Sequence, residues 1–116
     1  MKRNVLIIGA GGVAQVVAHK CAAANDRLGD LHIGSRTVAK AEAIIASVHA
    51  KGAMKVPGTF AAHPLDAMDS TAVAALIRRV GARIVINVGS SFVNMPVLDA
   101  CIETGAAYLD TAIHED

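Results

Sequence analysis

The chain has 116 residues, 53% of them hydrophobic, 18% charged and 3% aromatic, and eleven Lys and Arg against ten Asp and Glu leave a net charge of +1. That length suits one domain able to bury roughly two thirds of its unfolded surface, and apolar content this high with so little net charge excludes disorder. Without a basic excess no nucleic-acid partner is expected, and no apolar run approaches the ~20 residues of a membrane span, so no membrane is expected either. Met1-Lys2-Arg3 ahead of Val5 to Ile8 has the sign order of a signal peptide, but the apolar stretch is too short and a glycine turn follows. Cys21 and Cys101 lie far apart and form neither a metal spacing nor a disulfide framework, which predicts a reducing cytoplasm.

Asn4-Val5-Leu6-Ile7-Ile8 is a continuous apolar run closed by glycines, the pattern of a parallel strand buried on both faces. From Val13 the period becomes 3.6, which predicts a helix burying Val13, Val16, Val17, Cys21 and Ala24. A polar turn over residues 25–30 leads to a second strand, Leu31-His32-Ile33-Gly34. Thr37 is expected to cap a helix with the stripe Ala41, Ile44, Ile45 and Val48, stopped by Gly52. Residues 52–58 read as a loop, and a third strand is expected within Thr59 to Leu65, made irregular by His63-Pro64. Asp69 or Ser70 caps the next helix, whose stripe is Val73, Leu76, Ile77 and Val80 and whose stop is Gly81. Arg83 to Val88 form a fourth strand, Asn94 is expected to cap a helix with Pro96 in its first turn and Gly105 past its end, and Ala107 to Asp110 form a fifth strand. This alternation predicts an α/β fold: one doubly wound parallel sheet of order 3-2-1-4-5, with residues 1–116 as a single domain. The stop at His114-Glu115-Asp116, directly after a strand with no helix to cover it, predicts part of a longer protein.

Between the first strand and first helix stands Gly9-Ala10-Gly11-Gly12-Val13-Ala14, which fits G-x-G-x-x-A. Gly9 permits the tight turn, Gly11 leaves room for a pyrophosphate beside the backbone, and Ala14 lets the helix lie close to the sheet. The helix N-terminus then offers unpaired N–H groups and its positive dipole end to the phosphates. In this strand–turn–helix context the motif predicts a Rossmann-type dinucleotide site.

The second strand decides the nucleotide. It ends in Ser35-Arg36-Thr37 with no acid to hold a ribose 2′-hydroxyl, whereas Arg36 can pair with a 2′-phosphate and lie against adenine while Ser35 and Thr37 donate to the same phosphate. NADP is therefore the expected cofactor, ahead of NAD, FAD and S-adenosylmethionine. The bland alternative makes Arg36 a solvated loop residue and Thr37 merely a cap. Asp66 follows the third strand, where it either accepts from the adenine amino group or forms the turn. Asn87, Gly89 and Ser90 end the fourth strand where the strand order reverses, with Thr111 at the end of the fifth on the same edge. Ligands bind at that crevice, so these four are expected to contact the cofactor, Gly89 letting the backbone approach the ribose near the nicotinamide. A metal cluster of His63, Asp66 and Asp69 ranks behind the nucleotide site. His19, His32 and His49 share no ligand spacing, and the two cysteines read as packed core thiols.

The residues from Val5 to Gln15, Ser35-Arg36-Thr37, Leu65-Asp66-Ala67, Ile86 to Gly89 and Tyr108 to Ala112 together resemble the N-terminal NADP-binding domain of the saccharopine dehydrogenase family, over essentially the whole chain. The resemblance points to its polyamine-pathway branch. It implies a cytoplasmic oxidoreductase that reduces an imine to a secondary amine with NADPH, in amino-acid or polyamine metabolism. It also implies that Gly9, Gly11, Gly12, Val13 and Ala14 hold the pyrophosphate, that Ser35, Arg36 and Thr37 hold the 2′-phosphate and adenine, and that Asp66 reaches the adenine. Substrate-binding and proton-transfer groups would come from a further domain. The chain alone is accordingly expected to bind cofactor without catalysis, with no catalytic residue of its own, and the longer parent to be a homodimer. Two other readings keep the fold: an NADP(H)-binding regulatory module, or another NADP oxidoreductase or epimerase.

Overall fold

The first apolar run becomes the central strand of a sheet because both of its faces find a cover. Val5, Leu6, Ile7 and Ile8 are each 2% exposed or less; Leu6 and Ile8 pack into one apolar cluster, Val5 and Ile7 into another on the opposite face. Burying such a side chain contributes about 1.5–3 kcal/mol, so this segment anchors the fold. The structure, a computed structural model, describes residues 3–89 and 93–110.

Strands and helices alternate as β1 (Asn4–Ile8), α1 (Gly12–Ala23), β2 (Leu31–Ser35), α2 (Val38–Ala50), β3 (Phe60–Pro64), α3 (Ser70–Val80), β4 (Ala82–Asn87), α4 (Asn94–Thr104) and β5 (Ala107–Asp110). All the pairings are parallel, in the order β3-β2-β1-β4-β5, as the alternation predicts. Helices α1 and α2 cover one face of the sheet, and α3 and α4 the other. Pro64, which lacks an N–H, is tolerated as the last residue of the edge strand β3.

The α1 stripe departs from expectation. Ala14, Ala18 and Ala22 are fully buried, whereas Val13 and Val16 are more than half exposed and Val17, Cys21 and Ala24 only partly buried. Methyl side chains at i, i+4 and i+8 let the helix backbone approach the sheet, and a larger residue there would hold it off. In α2, Ala41, Ile44 and Val48 are buried and Ile45 is partly so. In α3 the expected stripe is met by Val73, Leu76 and Ile77, with Val80 packed against the same cluster.

Of the three expected caps, one works as a cap. Asp69 accepts from the N–H groups of Thr71 and Ala72, and Gly81 closes that helix with φ 67°. Thr37 stands at the N-cap of α2 without capping it; its own N–H donates to Ser35 Oγ at 3.1 Å. Asn94 is the first helical residue of α4 and not its cap, because its side chain turns toward Asn87 and Tyr108. Asn25, read as a turn residue, is 4% exposed and grips the loop before β3: its Nδ2 donates to Val56 O and its Oδ1 accepts from Val56 N–H.

Candidate functional site

In a parallel sheet the strands all deliver their carboxyl ends to one edge. There β1 runs into Gly9, whose φ of 117° suits glycine alone, and whose Cβ, if added, would lie 3.0 Å from the Gly89 nitrogen. At Gly11 and Gly12 an added Cβ would meet no protein atom within 4 Å. Protein packing therefore does not demand those two glycines, and the space they leave opens outward beside the start of α1. Gly11 is the N-cap of that helix, no side chain forms a cap bond there, and its first turn holds no acid. Unpaired N–H groups and the dipole's positive end are left for an anion. Ala14 is fully buried beneath this turn and Val13 is exposed beside it.

Alongside, a cavity of about 530 Å³ opens between the ends of β1, β2, β3 and β4. Its walls are Ile8, Gly9, Gly34, Leu65, Ala67, Met68, Gly89 and Val93, with Ser35, Arg36 and Asp66 as its polar side chains. The lining is mostly apolar with a few polar side chains, Arg36 and Asp66 close together among them, which suits a heterocycle carrying an anionic group. The Arg36 side chain is 74% exposed, and its Nε lies 3.9 Å from Asp66 Oδ1. An exposed pair at that distance holds weakly, so the guanidinium can turn to a phosphate. Asp66 Oδ1 accepts from Met68 N–H at 3.0 Å, so the turn-forming role expected as one alternative is present.

Beyond β1, at the reversal of strand order, Asn87 is 1% exposed and Gly89 lines the cavity. Asn87 Oδ1 accepts from Gly89 N–H at 3.0 Å; its Nδ2 donates to Asn94 Oδ1 at 2.7 Å. The nearby Tyr108 hydroxyl has its pKa raised, chiefly by burial, with the Asn87 hydrogen bond opposing and Asp110 adding. Ser90 and Thr111, expected at this edge, lie outside the described residues. The remaining expected residues gather at the carboxyl edge in two roles. Gly9, Ser35, Arg36, Asp66 and Gly89 line the cavity; Gly11, Gly12, Val13, Ala14 and Thr37 belong to the turns and helix starts beside it.

Sequence reasoning missed one polar feature beneath this edge. His32 Nδ1 and His63 Nε2 share a hydrogen bond of 2.9 Å, although the residues are 31 positions apart. Burial lowers the pKa of both; for His32 the charge of His63 adds and Asp30 opposes, and for His63 Arg79 adds. Parallel pairing of β2 with β3 joins the two rings, and only the strand register could have shown it. Cys21 and Cys101 are free, and burial pushes the Cys101 thiol up to about 11.

A glycine turn at a helix start, an apolar cleft at a sheet switch point and an arginine where an acid would bind a ribose define a dinucleotide-binding α/β domain. The family model described as the saccharopine dehydrogenase NADP binding domain matches residues 5–116, and the chain belongs to that family. NADP is accordingly its cofactor. Carboxynorspermidine synthase of Vibrio alginolyticus is 45% identical over 113 residues, 97% of this chain and 27% of the relative. Carboxyaminopropylagmatine dehydrogenase of Synechocystis sp. is 43% identical over 112 residues, covering 97% and 26% respectively. The chain thus spans about a quarter of the length of the curated relatives it matches. Among solved structures, the apo saccharopine dehydrogenase (L-Glu forming) of Saccharomyces cerevisiae superposes with a TM-score of 0.74 at 25% identity, over 97% of this chain and 22% of that one. A short-chain dehydrogenase/reductase of Mycobacterium ulcerans, 16% identical with a TM-score of 0.72 over 93% of this chain and 50% of that one, shares the fold. Among the described residues no helix is long and apolar enough to cross a membrane.

Proposed function

We propose that this domain binds NADP for an oxidoreductase that reduces an imine to a secondary amine in polyamine synthesis. The N–H groups from Gly11 through Ala14 face the pyrophosphate, with Gly9 setting the turn that presents them. Arg36 pairs with the 2′-phosphate, joined by the Ser35 and Thr37 hydroxyls. Asp66 keeps Oδ1 in its turn and directs its second carboxylate oxygen to the adenine amino group, since a carboxylate accepts at both. Gly89 lets the backbone approach the ribose near the nicotinamide. The observation that carries the reading is Arg36 at the mouth of the cavity, on a β2 that ends without an acid. A carboxylate there would repel a 2′-phosphate and a guanidinium attracts it.

When bound, the cofactor supplies a hydride to an electrophilic carbon. This chain's own part is to fix the dinucleotide so that its reactive end meets that carbon repeatedly at the same place. Substrate-binding and proton-transfer groups belong, on this reading, to the portion that the relatives carry beyond the matched region. We place the longer enzyme in the cytoplasm as a homodimer, with a small-molecule amine and carbonyl compound as its substrates. The polyamine assignment is supported by the names of the Vibrio and Synechocystis relatives. The test is NADPH consumption by the longer polypeptide. Consumption only when a primary amine and an aldehyde are both present supports the reading. Binding without consumption favours a regulatory module, and consumption with a carbonyl compound alone favours another oxidoreductase.

A further inference from the structure

Asn87 was expected to meet the cofactor directly, yet its amide is 1% exposed and already engaged at both ends. Gly89 N–H is a donor, so the atom facing it at 3.0 Å must be the amide oxygen. The nitrogen then points back into the protein, to Asn94 Oδ1 at 2.7 Å and to the Tyr108 hydroxyl at 3.4 Å. Tyr108 in turn donates to Asn94 Oδ1 at 3.3 Å. Three side chains from β4, α4 and β5 are thereby tied into one part-buried network around the buried Asn87 amide, and losing that amide's partners leaves a buried polar atom unpaired.

Among the described residues, the network reaches the first glycine turn through the Gly89 backbone. Gly89 lies against the first glycine turn so closely that a Cβ on Gly9 would come within 3.0 Å of its nitrogen and 3.1 Å of the Val88 carbonyl carbon. Val88 N–H also donates to Ile8 O at 2.9 Å, which fastens the end of β4 to the end of β1. Whatever shifts Gly89 therefore shifts the floor of the turn that receives the phosphates. We infer that Asn87, held by Asn94 and Tyr108, is a positioning residue that fixes the spacing between the two glycine turns and so sets affinity for the dinucleotide portion common to NADP and NAD. The ligand in this statement rests on the proposed cofactor site; the coupling between the turns does not.

Both parts can be measured on the 116-residue chain. Without nucleotide, amide exchange and chemical shifts report Gly89 and Gly9 separately. Asn87→Leu should abolish slow exchange at Gly89 and move the Gly9 resonance with it. It should also weaken NADP and NAD by the same factor, about tenfold, the value of one hydrogen bond to a buried group. Asn87→Asp at alkaline pH, where the carboxylate is ionised, keeps the acceptor for Gly89 while the Asn94 amide turns over to donate. It should restore Gly89 protection and most of the affinity, a rescue that a merely space-filling residue would not show. Tyr108→Phe removes only the outer link and should weaken both nucleotides equally, by about two- to threefold. If Asn87→Leu does not fold, Tyr108→Phe and Asn94→Ala carry the same test. A Gly9 resonance that stays fixed while Gly89 loses protection would overturn the coupling. Unchanged affinities, a loss for one nucleotide alone, or an Asn87→Asp variant as damaged as Asn87→Leu would overturn the positioning role. A wild-type chain that binds neither nucleotide counts against the cofactor reading, and the ligand-free resonances still decide the coupling.

Discussion

The turn after β1 and the rim formed by the ends of β2 and β3 stand side by side, yet they are built from opposite materials. At the turn the working groups are backbone N–H groups and missing side chains, held by a strand whose apolar residues are 2% exposed or less. At the rim the working groups are long polar side chains, Arg36 and Asp66, 74% and 57% exposed and joined by a 3.9 Å contact. A site made of backbone over a core cannot distinguish ligands that share a pyrophosphate, but it costs no side-chain ordering to use. An exposed arginine contributes little to the fold and can be exchanged without disturbing it, so it is where discrimination can reside. On the proposed reading, general affinity and nucleotide choice are carried by separate parts of one cleft.

Substitution within the turn gives the largest effect and tests the first half of this contrast. Gly9→Ala places a Cβ on a backbone with φ 117° and within 3.0 Å of Gly89 nitrogen. Backbone strain of about 1–3 kcal/mol and overpacking of similar size should together lower stability by about 2–4 kcal/mol in urea unfolding. Gly11→Val, two residues on, has open space around its Cβ. Stability should change by less than about 1 kcal/mol, while titration should show NADP and NAD both weakened by about 1.5–3 kcal/mol as charge-assisted contacts are lost. Equal destabilisation by the two substitutions would erase the distinction between a glycine the fold needs and one the ligand needs.

Acidification gives a smaller effect, confined to the rim's support. Both His32 and His63 have lowered pKa values, so they stay neutral in the fold while the unfolded chain takes up protons near pH 6.5. Stability from this pair is therefore whole above about pH 6.5 and declines as the pH falls through the folded values. His63 is faced by His32 and Arg79, and His32 also by Asp30. Urea midpoints compared above and below that pH should fall less for His63→Gln than for the wild type. An identical decline in both would remove the pair from the account.

How much of this was legible in the sequence follows the same division. The β1 run, the glycine turn and the strand order came from local periodicity and from glycine's freedom, which need no partner to be recognised. The buried face of α1 did not, because hydropathy ranks Val13 and Val16 above Ala14, Ala18 and Ala22, whereas close approach to a sheet selects for small volume. Thr37 and Asn94 carry the right chemistry for caps, but Ser35 on one side and Asn87 with Tyr108 on the other claim their groups. The His32–His63 bond and the Asn25 clamp join residues about thirty positions apart, and only parallel pairing and loop closure bring them together. Arg36 stands out in the sequence as a candidate phosphate ligand because its meaning depends on what is missing from the end of β2, and the structure places it at the cavity.

The most direct test of the central claim is the ratio of NAD to NADP dissociation constants, measured by calorimetric titration in the wild-type chain and in Arg36→Ala. The wild type should favour NADP by about 1–3 kcal/mol, the value of charge-assisted bonds to the 2′-phosphate. Arg36→Ala should remove most of that preference by weakening NADP alone, with NAD affinity and stability nearly unchanged. A preference that survives the substitution, or an equal loss for both nucleotides, would contradict the account.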